Sequence, residues 1–112
     1  RWFTLEFLAS NAQTPRQVAS WRMQADRASY GQSAWVLAHG VRELIRPAPP
    51  LKQASLVMTC AGDVGSTPQM SWDIAAEIPG AECQIIPQLK HLGLLEVPEA
   101  FTLPVLNFLQ RV

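Results

Sequence analysis

The chain has 112 residues, which is enough for one domain with a small hydrophobic core. Nine basic and nine acidic residues balance to a net charge of zero, and no basic cluster interleaved with aromatic residues is present, so we expect no nucleic-acid partner. The apolar runs are far shorter than the roughly 20 residues that span a bilayer, and two cysteines are too few for a disulfide scaffold. We therefore expect a cytoplasmic protein without a membrane partner.

Residues 1–46 are predicted to be helical. Thr14 followed by Pro15, with Gln17 three positions after the threonine, is typical of a helix start. Apolar residues then recur at helical spacing in two stretches, which are Val18, Trp21, Ala25 and Ala28, and Tyr30, Ala34, Leu37, Val41, Leu44 and Ile45. We expect the two helices to pack together through these faces.

A proline-rich linker is predicted at residues 47–54. The sequence RPAPP at positions 46–50 cannot continue a helix, because each of its three prolines lacks a backbone donor and clashes with the preceding turn. The linker therefore separates the helical segment from the rest of the chain.

Residues 55–112 follow a strand, helix, strand, helix order, which is typical of the α/β class. Ser55–Cys60 and Ala81–Ile86 have the length and apolar character of buried strands. Thr67 and Pro68 predict the start of the helix between them. The inward stripe of this helix is expected at Met70, Ile74 and Ile78. A unit of this length suits a crossover connection, so the two strands are predicted to be parallel.

The closing helix is predicted in residues 97–112, with Pro98 in its first turn and a kink at Pro104. The side chains expected to face inward are Phe101, Val105, Phe108 and Leu109. Three tryptophans of the earlier helices are also predicted to lie in the core, namely Trp21, Trp35 and Trp72.

Two loops that follow the predicted strands carry chemically useful side chains. Asp63 lies in AGDVGST after the first strand, and His91 lies in PQLKHLGLLEV after the second. Because the carboxyl ends of parallel strands meet at one edge of a sheet, we expect these loops to be neighbours. A carboxylate that orients an imidazole, which in turn removes a proton from a hydroxyl or thiol, is the arrangement of a nucleophilic hydrolase.

Each of these residues also has a simpler interpretation. Asp63 stands between Gly62 and Gly65, where aspartate is a common turn residue, and its spacing alone favours that role. His91 is alternatively an exposed loop residue.

The sequence GQSAW at 31–35 lacks the closing glycine of a nucleophile elbow, and no strand precedes it. No metal-ligand spacing and no phosphate-binding glycine loop are present, so neither a metal nor another cofactor is predicted.

Several segments of the second part occur in a specific order: LVMTC, GDVGSTP, IPGA, KHLGL and EVPEAF. In this order they resemble the C-terminal part of α/β-hydrolase proteins, nearest to the 3-oxoadipate enol-lactonase-like branch. The segments RWFTLEF and PRQVASWRMQADRASYGQSAW look like the helical cap of that branch. The resemblance covers nearly the whole chain but only the rear of such an enzyme, and the chain begins without Met, so we expect a longer protein.

The resemblance implies a Ser-His-Asp hydrolase of an ester or enol-lactone of a small organic acid. His91 would be its catalytic base, and the turn at 62–68 would hold its acid. The usual acid position, four residues before the proline, is occupied by Val64, whereas Asp63 stands five residues before it. We predict that Asp63, the only carboxylate of this turn, orients His91; if Val64 occupies the acid position, the acid comes from elsewhere or catalysis is weakened.

The serine and the oxyanion-hole loop of such an enzyme would lie outside this chain, which alone is predicted to be inactive, and the resemblance implies no cofactor. The alternative is a non-catalytic fragment that acts as an oligomerising or interaction module. A sheet of only two strands leaves open edges and uncovered apolar faces, which favour self-association into a homo-oligomer.

Overall fold

The computed structural model describes residues 2–40 and 49–112, and within these ranges the chain forms six helices and two strands. The first range contains α1 (Leu5–Ser10), α2 (Gln13–Gln24) and α3 (Arg27–His39). The second contains β1 (Leu56–Cys60), α4 (Pro68–Glu77), β2 (Glu82–Ile86), α5 (Gly93–Glu96) and α6 (Glu99–Leu109). In the described ranges, no helix has both the length and the apolar character needed to cross a membrane.

The predicted segment boundaries fall partly outside the described residues. Val41, Leu44 and Ile45 of the second predicted helix, and residues 46–48 of the linker region, lie there. Residues 49–54, the described part of the predicted linker, form neither helix nor strand. The division into 1–46, 47–54 and 55–112 stays a prediction.

The helix starts in the first segment differ from those that the sequence predicted. The side chain of Asn11, not that of Thr14, satisfies a free amide of the first turn of α2, because Asn11 Oδ1 accepts from the Thr14 amide at 3.0 Å. A break follows at Ala25, whose backbone is extended. Asp26 then caps α3 by accepting from the Ser29 amide at 2.7 Å. The break between the two predicted helices therefore lies at Ala25 and Asp26, and Ala28 belongs to the second helix and not to the first.

The described residues of the predicted apolar faces of α2 and α3 are exposed, apart from the half-buried Val18, which contradicts the predicted packing of these helices against each other. The two helices meet too sparsely to bury any of their side chains. Trp21 and Trp35 are 58% and 62% exposed, and Trp72 on α4 is 51% exposed. The prediction that these tryptophans lie in the core is wrong, because no described element covers them.

The two strands are parallel, as predicted, and each begins one residue later than expected. Leu56 pairs with Glu82 and Cys60 with Ile86. The ladder continues past its formal end, because the Ala61 amide donates to the Ile86 carbonyl at 2.8 Å. The strands therefore stay paired up to the loops that follow them.

Helix α4 packs on both strands, and of the predicted inward stripe only Ile78, just after the end of the helix, is half-buried. Its start is as predicted, because Thr67 Oγ1 accepts from the Met70 amide at 3.4 Å and Pro68 takes the first helical position. Ser71 is buried and Ala75 and Ile78 are half-buried, whereas Met70 and Ile74 are about half exposed. The covered side of the helix therefore carries the small side chains of Ser71 and Ala75.

Helix α6 covers the other side of a small core. The core consists of Cys60, Ile86 and Leu89, with Met58, Ala100 and Phe101 packed against it. Phe101 and Phe108 are half-buried as predicted, but Val105 and Leu109 are 39% and 58% exposed, so their predicted inward position is wrong. The helix runs through Pro104 as one element, and a kink there stays a prediction. The core lies at the carboxyl ends of the strands, next to the loops that carry Asp63 and His91.

Candidate active site

The structure brings Asp63 and His91 into direct contact. His91 Nδ1 lies 2.7 Å from Asp63 Oδ2. Because an ionised carboxylate can only accept, Nδ1 carries the proton and donates it to this bond. The imidazole is 46% exposed, whereas the carboxylate is 5% exposed. The buried acid therefore fixes one edge of a ring whose other edge is open.

Backbone amides hold the carboxylate of Asp63 in place. Its Oδ1 accepts from the amides of Gly65 at 2.8 Å and Ser66 at 3.0 Å. Thr59 Oγ1 donates to the Ser66 carbonyl at 2.6 Å and ties the turn to the end of β1. Val64 is 84% exposed. Of the two residues that the sequence left open for the acid position, Asp63 is the one that contacts His91.

These contacts keep Asp63 ionised. Burial by itself raises the pKa of this carboxyl group, but hydrogen bonds from the Ser66 amide, the His91 ring and the Gly65 amide outweigh burial. The pKa of Asp63 therefore lies below its ordinary value. An ionised Asp63 stabilises a protonated imidazole. A histidine that acts as a general base needs this stabilisation after it has accepted a proton.

A close backbone contact joins the two loops. The amide of Gly62 donates to the carbonyl oxygen of Leu89 at 2.9 Å. A Cβ atom at position 62 would lie 2.8 Å from the same oxygen, so only glycine fits here without a shift. Gly93 is similarly constrained, because a Cβ there would lie 2.7 Å from Cys60 Sγ. The loops of Asp63 and His91 thus depend on glycine at both of these positions.

The turn before His91 contains an unusual backbone conformation. Gln88 has a φ of 61°, which is uncommon for a residue other than glycine. The Leu89 amide donates to the Pro87 carbonyl at 2.8 Å, so Gln88 is the centre of a three-residue turn. Such conformations cluster at functional sites, where the surrounding structure enforces them. The sequence offered no signal for this turn.

The first described residues of the chain contact the loop of His91. The amide of Leu92, next to His91, donates to the Trp2 carbonyl at 2.9 Å. The Trp2 ring lies 6.4 Å from the His91 ring between centroids, and the Arg22 guanidinium carbon lies 4.2 Å from the centroid of Trp2. Phe3 is buried at 5% exposure. Sequence analysis missed this contact, since local patterns do not report pairs so distant in the chain.

Cys60 is close to the pair but is not a credible nucleophile. Its side chain belongs to the core and is 4% exposed. Burial, and then the charge of Asp63, raise the pKa of the thiol. Among the residues that the structure describes, no group of three potential metal ligands occurs. The absence of a metal or other cofactor remains a prediction.

The geometry leaves His91 ready to act on a group from outside. In the described ranges, no hydrogen-bond partner lies at His91 Nε2, while Nδ1 is occupied by Asp63. With Nδ1 protonated, Nε2 is the basic atom of the ring. The pair can therefore accept a proton at Nε2 and stabilise the resulting imidazolium.

The chain is similar in structure to the enol-lactonase from Burkholderia xenovorans LB400, with a TM-score of 0.86 and 25% sequence identity over 98% of the chain. It spans 41% of the length of that protein. No family model matches the chain, and no curated protein matches it in sequence. The helices followed by a parallel β-α-β-α unit have the fold of the C-terminal portion of an α/β-hydrolase, as predicted.

Proposed function

We propose that this chain, which has the fold of the rear portion of an α/β-hydrolase, supplies the base and the orienting acid of a Ser-His-Asp hydrolase. The observation that carries the proposal is the 2.7 Å bond between His91 Nδ1 and an Asp63 carboxylate that two backbone amides hold. The two backbone amides are enough to hold an aspartate that only shapes a turn. The additional bond from a half-exposed imidazole to its second oxygen therefore supports a catalytic role. The proposed substrate is an ester or enol-lactone of a small organic acid.

In this mechanism, His91 moves the protons of both half-reactions. Its Nε2 takes the proton of the serine hydroxyl as the oxygen attacks the substrate carbonyl, and then passes that proton to the departing alkoxide or enolate. In the second half, Nε2 takes a proton from water, which attacks the acyl-enzyme, and returns it to the serine oxygen. Asp63 keeps the imidazole in the required tautomer and stabilises the imidazolium in each half.

The serine and the oxyanion-hole donors belong to a part of the enzyme outside these 112 residues. The sequence contains no GxSxG elbow, and its buried Cys60 is no substitute. The share of the enol-lactonase that the chain spans, 41%, supports a division in which the remainder carries the nucleophile. The small-acid substrate class comes from the resemblance to the enol-lactonase and from no feature of this site alone.

The test is hydrolysis of an enol-lactone and of p-nitrophenyl esters by the longer protein that contains this chain. We expect His91→Ala to lower kcat by several orders of magnitude while the fold survives, because removal of a triad member leaves only oxyanion-hole and binding catalysis. His39→Ala is the matched control, since His39 is an exposed histidine stacked on Trp35. A His91→Ala variant within about tenfold of wild type would contradict the proposal.

A second candidate function is a non-catalytic interaction module. The exposed apolar surface supports it, with Trp21, Met23, Trp35 and Leu37 each more than half exposed and no described element over them. In this case the chain alone forms a defined homo-oligomer, and the longer protein hydrolyses neither substrate. Sedimentation of the purified chain, together with the hydrolysis assay, separates the two functions.

A further inference from the structure

Three hydrogen bonds join the first described residues to the segment that follows His91. The Leu92 amide donates to the Trp2 carbonyl at 2.9 Å. The Thr4 amide donates to Glu96 Oε1 at 2.9 Å, and the Thr4 hydroxyl donates to Glu96 Oε2. Both oxygens of one half-buried carboxylate thus bind the same residue, which lies 92 positions earlier in the chain.

These bonds act on the residues that follow His91, whereas the loop of Asp63 holds a residue that precedes it. On one side, the Gly62 amide holds the Leu89 carbonyl. On the other side, Trp2 holds Leu92, and the bond between Thr4 and Glu96 holds the backbone that carries Trp2. His91 therefore lies between two anchored residues, with the Trp2 ring 6.4 Å from its own ring.

We propose that Glu96 is a positioning residue of this site. It acts through Thr4 to fix the position of Trp2 relative to the loop of His91. For its kinetic consequences, this inference rests on the proposed hydrolase function. Glu96 is the last residue of α5, which begins just after His91 and Leu92, and its side chain reaches the Thr4 amide and hydroxyl together. The paired acceptors of a carboxylate suit these two donors.

The same geometry explains which substitutions should preserve the contact. In Glu96→Gln, the amide oxygen still accepts from the Thr4 backbone, and the side-chain NH₂ donates to the Thr4 hydroxyl oxygen. Glu96→Ala removes both bonds. Glu99→Ala is the matched control, because Glu99 is an exposed glutamate in the first turn of α6.

The kinetic experiment compares these three variants in the longer, active protein. We expect Glu96→Ala to lower kcat by roughly tenfold to a hundredfold, the range for a small misplacement of a catalytic group, with a smaller change in KM. Glu96→Gln should stay within about threefold of wild type, as a rescued contact requires. If Glu96→Ala keeps the kcat of the Glu99→Ala control, Glu96 has no positioning role.

A spectroscopic readout tests the inference without any activity. In proton NMR of the protein, the His91 proton shared with Asp63 gives a signal that is protected from solvent exchange and is identified by its loss in His91→Ala. We expect this signal to broaden or vanish in Glu96→Ala and to persist in Glu96→Gln and Glu99→Ala. This NMR test remains valid if the hydrolase proposal fails, because it does not depend on activity. An unchanged signal in Glu96→Ala would overturn the inference itself.

A second pair of variants covers the case in which Glu96→Ala does not fold. Thr4→Ser keeps the hydroxyl that bonds to Glu96 and the cap that accepts from the Phe7 amide at 3.2 Å. Thr4→Val removes both functions of the hydroxyl. We expect the NMR signal and kcat to survive in Thr4→Ser and to fall in Thr4→Val, and equal behaviour of the two variants would overturn the proposal.

Discussion

The amide of Gly62 donates to the carbonyl oxygen of Leu89 at 2.9 Å, and this bond joins the loop of Asp63 to the loop of His91. The contact is possible because position 62 has no side chain. It brings the two loops close enough for the 2.7 Å bond between the acid and the imidazole.

Gly62→Ala should therefore push the two loops apart. The new Cβ would lie 2.8 Å from a backbone oxygen that cannot rotate away. We expect a loss of about 1–3 kcal/mol in the free energy of unfolding, as for other overpacked sites, measured by urea denaturation. Gly31→Ala on α3 is the control, because nothing lies within 4 Å of the position and alanine favours the helix. Equal stability of the two variants would contradict this account of Gly62.

Asp63→Asn tests whether the acid orients the imidazole. In this variant the side-chain oxygen can keep the two backbone bonds, but the NH₂ group would then face His91 Nδ1 and force the ring proton onto Nε2. Under the proposed hydrolase function, that tautomer cannot take a proton from the serine, so kcat should fall by up to roughly 10⁴ in a longer protein that contains this chain. Asp73→Asn is the control, because Asp73 is an exposed aspartate on α4 bonded to Gln69. Near-normal turnover by Asp63→Asn would leave Asp63 as a turn residue only.

The lowered pKa of Asp63 predicts a loss of stability in acid. A carboxyl group whose pKa is lower in the folded chain contributes stability above its unfolded pKa of about 3.9, and this contribution is lost as the pH falls through the folded value. The free energy of unfolding of the wild type should therefore drop more steeply than that of Asp63→Asn as the pH falls from about 5 through the lowered pKa of Asp63. Parallel pH profiles for the two proteins would show that Asp63 is not stabilised as an anion.

The 112-residue chain by itself should not turn over p-nitrophenyl acetate. The proposed base and orienting acid are present, but the sequence contains no GxSxG elbow to hold a serine beside them, and Cys60 is buried. The assay compares the purified chain with free imidazole at the same concentration. Turnover above that background, lost in His91→Ala, would show that the chain contains its own nucleophile.

The sequence alone determined the strand-helix-strand order from β1 to β2, the parallel pairing of these strands, the start of α4 at Thr67 and Pro68, and the two loops that carry Asp63 and His91, whereas α1 and α5 were not predicted. These features follow from apolar runs, caps and turns, which act over a few neighbouring residues. Spacing before Pro68 is also a local pattern, and it did not by itself decide whether Asp63 or Val64 occupies the acid position.

Only the tertiary structure decided which residue of the turn faces His91, which apolar faces are covered, and which distant segment completes the site. A hydrophobic stripe predicts a helix face, but burial depends on whether another element lies over it, and none of the described elements covers Trp21 or Trp35. The bond between Thr4 and Glu96 arises when remote segments pack together. No local pattern encodes it, because the two residues become neighbours only in the folded chain.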